Sequence, residues 1–305
     1  MQLPDFLHGA ADIHVHSSPD LDPRRFDDFE LAREAARGGM SALVIKSHQN
    51  STVERAILAS KIVPEICVFG GLVLNETVGG LNPAAVQLAL RLGARQIWMP
   101  TRSARNHRVF HGDDGGGISI FGPDGEIVSA VDRILDLLAT SDCMLGTGHL
   151  SVEESVALIE RASARGLRKI VVTHPEWKAT YFPIQLQREL AAKPGVWFER
   201  CYVSTTHRCG FTPIETIASA IEETGVATTI LSTDLGQPDT PPPVEGMRLY
   251  GDALRALGFT VDQLRAMAVE NPRTLLGLDE VIPVPVTATP TGAATRSDRN
   301  GDSGI

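Results

Sequence analysis

The sequence predicts a single (β/α)₈ barrel, the TIM-barrel architecture, and three observations carry that prediction. Eight apolar strand-like runs recur between residues 11 and 234, and each is followed by a stretch with helical spacing. Strict alternation of this kind implies parallel strands joined by helical crossovers. No glycine fingerprint for a dinucleotide follows the first run, which counts against an open doubly wound sheet. With 305 residues, 43% of them hydrophobic and 21% charged, the chain can bury one large core. Residues 1–280 are assigned to the barrel. Residues 281–305, dominated by Pro, Thr, Ala, Gly, Ser and Asp, read as a disordered tail.

Taken in order, the first run, Ala11-Asp12-Ile13-His14-Val15-His16, alternates apolar and polar residues, and Ser17-Ser18-Pro19-Asp20 ends it as a turn. Helical spacing follows from Phe26 (Phe29, Leu31, Ala32, Ala35, Ala36) and stops at Gly38-Gly39. The second run, 42–45, ends in Lys46-Ser47-His48, and Ser51 with Glu54 reads as a capping box for a helix to about residue 62. The third, 66–74, ends at Asn75-Glu76. Asn82 as cap and Pro83 in the first turn open a helix to Leu92-Gly93, ahead of the strand 96–99.

A long polar segment from Thr101 to Gly125 then leaves the predicted catalytic face, so it is expected to cover the site as a lid. A helix at 128–139 leads to the strand 143–146, which ends at His149. A second capping box, Ser151 with Glu154, heads a helix to about residue 165. The strand 170–173 ends at His174-Pro175, and a short helix at 185–190 precedes the strand 196–199. A third box, Thr212 with Glu215, opens a helix that stops at Gly225. The strand 228–231 then ends in Ser232-Thr233-Asp234. Helices at 244–257 and 260–268, then 271–278, complete the domain.

The formal net charge of −9, with no basic cluster, argues against a nucleic-acid partner. No apolar run is long enough to span a bilayer, and the first residues do not read as a signal peptide. The expected setting is therefore the cytoplasm, without a membrane partner. None of the four Cys shows CxxC spacing. Cys67 and Cys143 fall in apolar runs and are expected to be buried free thiols, and Cys201 and Cys209 are left structural.

The strand ends carry the chemistry. Side chains two apart on a strand leave the same face, so His14 and His16 point together. Five of the nine His (14, 16, 48, 149 and 174) fall at predicted carboxyl ends, with Lys46, Glu76, Glu199 and Asp234 at others. In a barrel all these ends converge on one face, where barrel enzymes place their sites. Imidazoles and carboxylates gathered there suit a divalent metal, which lowers the pKa of its water to roughly 7. Asp12 is expected to support the ligands rather than join them. Lys46, in a chain with five Lys, reads as a bridging group, a site charge or a strand-end lysine reaching solvent. Arg102, Arg105 and Arg108 could clamp an acidic substrate or form a solvated helical face, with Arg102 nearest the strand end.

His-x-His on the first strand, single His after the fifth and sixth, and Asp after the eighth resemble the amidohydrolase superfamily of metal-dependent hydrolases. The resemblance runs from residue 12 to about 278. It implies that His14, His16 and Asp234 hold one divalent metal, and that Asp234 also takes the proton from the water. His149 and His174 would hold a second ion or orient the substrate. The fourth strand departs from that pattern, ending Trp98-Met99-Pro100-Thr101 without the usual bridging Lys or Glu. Lys46 and Glu76 are the available substitutes, Glu76 also serving as a candidate substrate contact. His48 and Glu76 are further similar to polymerase-and-histidinol-phosphatase (PHP) barrels, although Asp234-Leu235-Gly236 replaces their terminal Asp-x-His.

The leading expectation is hydrolysis of an amide, cyclic amide or ester-type bond in a small molecule. One or two ions would serve it, zinc first, with manganese or iron as alternatives. The alternatives are PHP-like phosphoester hydrolysis, metal-dependent decarboxylation, and a non-catalytic ligand-binding barrel. Barrels of this kind often pair, so a homodimer stays open, with no patch in the sequence to mark it.

Overall fold

Eight parallel strands follow one another around the sheet in chain order. They are β1 (Ala11–His16), β2 (Ala42–Lys46), β3 (Cys67–Val73), β4 (Gln96–Trp98), β5 (Met144–Gly146), β6 (Ile170–Thr173), β7 (Val196–Cys201) and β8 (Thr229–Ser232). In this computed structural model residues 6–113 and 116–278 are described, so the tail expected from 281 lies outside the described residues. The Asp234 N–H donates to the His14 carbonyl at 2.7 Å and the His16 N–H to the Leu235 carbonyl at 2.8 Å, which draws β1 and β8 together and nearly closes the barrel.

The helices are α1 (Asp28–Arg37), α2 (Val53–Ile62), α3 (Pro83–Leu92), α4 (Arg105–Phe110), α5 (Ser129–Ala139), α6 (Val152–Ala164), α7 (Ile184–Ala191), α8 (Ile214–Thr224), α9 (Pro243–Ala256), α10 (Val261–Arg265) and α11 (Asn271–Leu276). Residues expected to continue α10 form a π-helical turn, Ala266–Glu270, instead. No helix among the described residues is long and apolar enough to cross a membrane.

Two apolar layers lie between strands and helices, and a third fills the barrel interior with Ala11, Ile13, Val44, Trp98, Met144, Val171 and Ile230. A Cβ on Gly146 would meet the Trp98 indole at 2.6 Å, so glycine there makes room for the ring at the barrel centre. β1 shifts register between Asp12 and Val15. Ile13 lies in the interior layer and Val15 in the outer one, and after the shift His14 and His16 take the inward positions. A bulge re-aims side chains in this way.

Three expectations are corrected. Ser151 and Glu154 do form a capping box on α6, but Ser51 does not cap α2. Thr52 occupies the cap position and spends its hydroxyl on the sheet, donating to the Ile45 carbonyl at 2.6 Å and accepting from the Gly71 N–H at 2.9 Å. Thr212 likewise donates to the Glu176 carbonyl at 3.3 Å, leaving Pro213 at the start of α8. Cys67 opens β3 at the surface and is exposed, whereas Cys143 is buried as expected.

Candidate metal centre

His14, His16 and Asp234 meet where β1 and β8 close the barrel. His14 Nε2 and His16 Nε2 each lie 3.0 Å from Asp234 Oδ1. The three ligand atoms lie within 4.8 Å of one another, a group that could hold a metal ion. Asp234 and His174 take positive φ (52° and 33°), strained values for residues with a Cβ. Strain of this kind gathers where a side chain must be aimed for function.

His14 is held from behind. Its Nδ1 donates to Glu199 Oε2 at 3.1 Å, which fixes the ring's orientation and turns Nε2 toward Asp234. Cys201 Sγ lies 3.7 Å from the same nitrogen, so His14, Glu199 and Cys201 make a second, fully buried donor group that shares His14. Asp12 is buried beside them. Its carboxylate accepts the Thr233 N–H at 3.1 Å, the Thr233 hydroxyl and the His14 N–H at 3.2 Å, tying β1 to β8.

Lys46 Nζ is 2.8 Å from His14 Nε2 and 5.4 Å from the centre of the Trp98 ring. It lies beneath the cavity surface rather than lining it. Burial pushes its ammonium below the ordinary value, while Asp234 and Glu199 oppose that shift. For His14, burial also disfavours the charge, but the two carboxylates outweigh it and bring the imidazole up to about 9. Asp234 is held well below the carboxylate range: burial pushes it up, and His14 and His16 pull it down further. Positive charge therefore belongs at this point, and two imidazoles with a carboxylate fit a divalent ion.

Above this cluster lies a cavity of about 580 Å³ lined by His16, His48, His149, His174, Trp177 and Asp234 among others. The His48 and His16 rings stack at 5.0 Å, and the His149 and His174 rings are also 5.0 Å apart. His48 Nδ1 is 2.9 Å from the Thr101 hydroxyl, and His174 Nδ1 is 3.0 Å from that of Thr180. The expected cover over the site takes form as α4. His107 Nδ1 is 2.8 Å from His149 Nδ1, and the Asn106 amide donates to the His149 and Ala179 carbonyls at 3.1 and 2.7 Å.

Arg102 reaches the cavity and pairs with Asp22 at 2.6 Å. Glu76 does not reach it: both its oxygens accept from Arg108 at 2.8 Å on the exposed side of the β3 loop. His107 belongs to the segment expected to cover the site, whereas Trp177, Arg24 and Arg208 were not read from the sequence. A residue shortly after a strand end was the only available signal for them.

Burial, first of all, keeps several imidazoles neutral, His174 down to about 3 and His107 to about 4, with His48 and His149 also well lowered. The unfolded chain protonates these groups near 6.5, so stability is present above that value and is lost as pH falls toward the folded values. Asp12, raised to about 7 by burial, and His14, raised to about 9, act in the opposite sense but are outnumbered by the lowered imidazoles. For His174 alone the loss is about 2 kcal/mol at pH 5. With chelator present, Tm should fall by ~5 °C or more between pH 7 and pH 5. A Tm that is flat or rises on acidification would contradict the neutral assignment of these rings.

A family model described as a family of unknown function, DUF6282, matches residues 9–199. No curated protein matches the chain. Among solved structures, an amidohydrolase from Pseudomonas aeruginosa aligns at 13% identity and a TM-score of 0.61, over 88% of this chain and 97% of that one. Organophosphorus hydrolase from Deinococcus radiodurans aligns at 14% identity and 0.59, over 88% and 93%. Dihydroorotase from Saccharomyces cerevisiae, in complex with 5-fluoroorotic acid, aligns at 11% and 0.57, over 90% and 85%. The structural neighbours are thus hydrolase barrels, and at these identities the likeness is one of fold.

Proposed function

The chain belongs to DUF6282, a family of unknown function, and we propose that it is a metal-dependent hydrolase acting on an amide, cyclic amide or ester-type bond of a small molecule. The observation that carries this reading is the meeting of His14, His16 and Asp234 below a cavity walled by further imidazoles. The hydrolase names of the neighbouring folds support it. Zinc is the expected ion, with manganese or iron as alternatives.

Held by His14, His16 and Asp234, the ion would supply the Lewis acidity that makes hydroxide available near neutral pH. Asp234 stays ionised under those conditions and serves as proton acceptor. Glu199 keeps His14 in the tautomer that offers Nε2 to the ion. His174 and His149, neutral at pH 7, are placed to contact the substrate from the cavity wall. Lys46 acts as a positioning charge through His14 rather than on the substrate, being buried below the cavity.

The test is an assay on a panel of amides, cyclic amides, esters, phosphoesters and carboxylic acids, before and after removal of metal by chelator. Hydrolysis of at least one carbonyl substrate, lost on chelation and restored by zinc, manganese or iron, is the expected outcome. Release of phosphate alone, or of CO₂ alone, would overturn the assignment.

A further inference from the structure

The mouth of the cavity carries charges that hydrolysis itself does not require. Three guanidinium groups line it from three loops, Arg24 after β1, Arg102 after β4 and Arg208 after β7. Each faces a carboxylate of the protein. Arg102 pairs with Asp22 at 2.6 Å, and Arg24 lies 3.6 Å from Asp22 and 3.1 Å from Asp20. Arg208 pairs with Asp239 at 2.5 Å.

Asp22 is where their fields converge. Partial burial pushes its carboxyl up, and Arg102, with Arg24 and Arg208, outweighs that and holds it below the ordinary value. The Arg102–Asp22 pair is nevertheless open to water, its side chains 46% and 36% exposed. An exposed ion pair contributes little stability and exchanges readily. Below it the imidazoles of His48, His149 and His174 line the cavity above His14, His16 and Asp234, where a bound cation would offset the Asp234 charge that faces an incoming anion. In a chain of net charge −9, the mouth gathers three guanidinium groups, each matched by a carboxylate of the protein, so an outside anion gains Arg102 only by displacing Asp22.

We propose that Asp22 holds the place of a carboxylate that belongs to the substrate, so that the enzyme acts on small organic acids. This rests on the hydrolase reading above. The substrate carboxylate takes Arg102 from Asp22, while the reacting carbonyl lies over His16, His174 and Asp234. The guanidinium fork matches a planar carboxylate. A neutral analogue leaves Arg102 with Asp22 and forfeits that anchor. Asp22 therefore sets specificity by competing with the ligand, and removing its charge should strengthen acid binding.

The test is calorimetric titration of zinc-loaded wild type, Asp22→Asn and Arg102→Gln with malonate, succinate and glutarate. Succinamide and inorganic phosphate serve as comparisons. At least one dicarboxylate should bind wild type, about fivefold more tightly in Asp22→Asn and at least about tenfold more weakly in Arg102→Gln. Succinamide and phosphate should bind far more weakly than that dicarboxylate. Absence of dicarboxylate binding, equal affinity in all three proteins, or tighter binding of phosphate would overturn the proposal. Repeating the titrations on chelated protein, with metal content measured on the loaded samples, separates the two readings. A protein that takes up no metal but keeps the Asp22 and Arg102 effects would sink the hydrolase assignment and leave the acid site standing.

Discussion

Asp234→Asn should leave the barrel folded and lower hydrolytic activity at least about a thousandfold. Asn keeps the size of the side chain, and the main-chain bond from residue 234 to the His14 carbonyl does not depend on the carboxylate. Two things are lost together. The negative oxygen that His14 Nε2 and His16 Nε2 both approach at 3.0 Å disappears, and so does the proton acceptor. Circular dichroism should be unchanged while metal content and turnover fall. A variant that keeps its metal and more than about a tenth of its activity would show that Asp234 is not the base.

Glu176→Ala should be among the most destabilising single changes, at about 3–5 kcal/mol. Arg200 on β7 is fully buried, and its Nη1 donates to Glu176 and, at 3.0 Å, to Gln187 Oε1. Its Nη2 donates to the Thr224 hydroxyl at 2.8 Å, and its guanidinium lies 5.2 Å from the centre of the Phe198 ring. These neutral partners remain in the variant, but no carboxylate then balances the buried cation. That imbalance costs far more than the pair contributes when intact. Glu176 also follows His174-Pro175, so the same change loosens the loop that carries a cavity imidazole. Tm should drop by roughly 10 °C, and Glu176→Gln, which retains an acceptor, by less. A drop under about 2 °C would show that Arg200 is charge-balanced elsewhere.

Much of the architecture was legible because its signals are local. Period-two alternation marked β1, Gly38 and Gly93 stopped helices, and the Asn82-Pro83 pair opened α3. The convergence of His14, His16 and Asp234 followed once the strands were numbered around a barrel. What stayed hidden depends on contacts distant in sequence. Ser51 and Thr212 carry the letters of a capping box, but the hydroxyls of Thr52 and Thr212 are committed to carbonyls outside their helices. Glu76 stands at a strand end, yet Asn75 turns the chain first. Its amide donates to the His48 carbonyl and the Thr101 hydroxyl, and its oxygen accepts the Thr101 and Ser103 N–H groups. Glu76 is thereby sent outward to Arg108. The register shift in β1, which lets Ile13 fill the interior and His14 still face Asp234, leaves no mark in the letters. His107 reaches the site only because Asn106 latches α4 over it.

Metal content per chain, measured by plasma mass spectrometry on wild type and on His14→Ala/His16→Ala, tests the central claim most directly. The arrangement of His14, His16 and Asp234 predicts close to one equivalent of zinc, manganese or iron in wild type and a loss of it in the double variant, with both proteins folded. A folded wild type purified without chelator that carries no metal, and takes up none when it is added, would contradict the account.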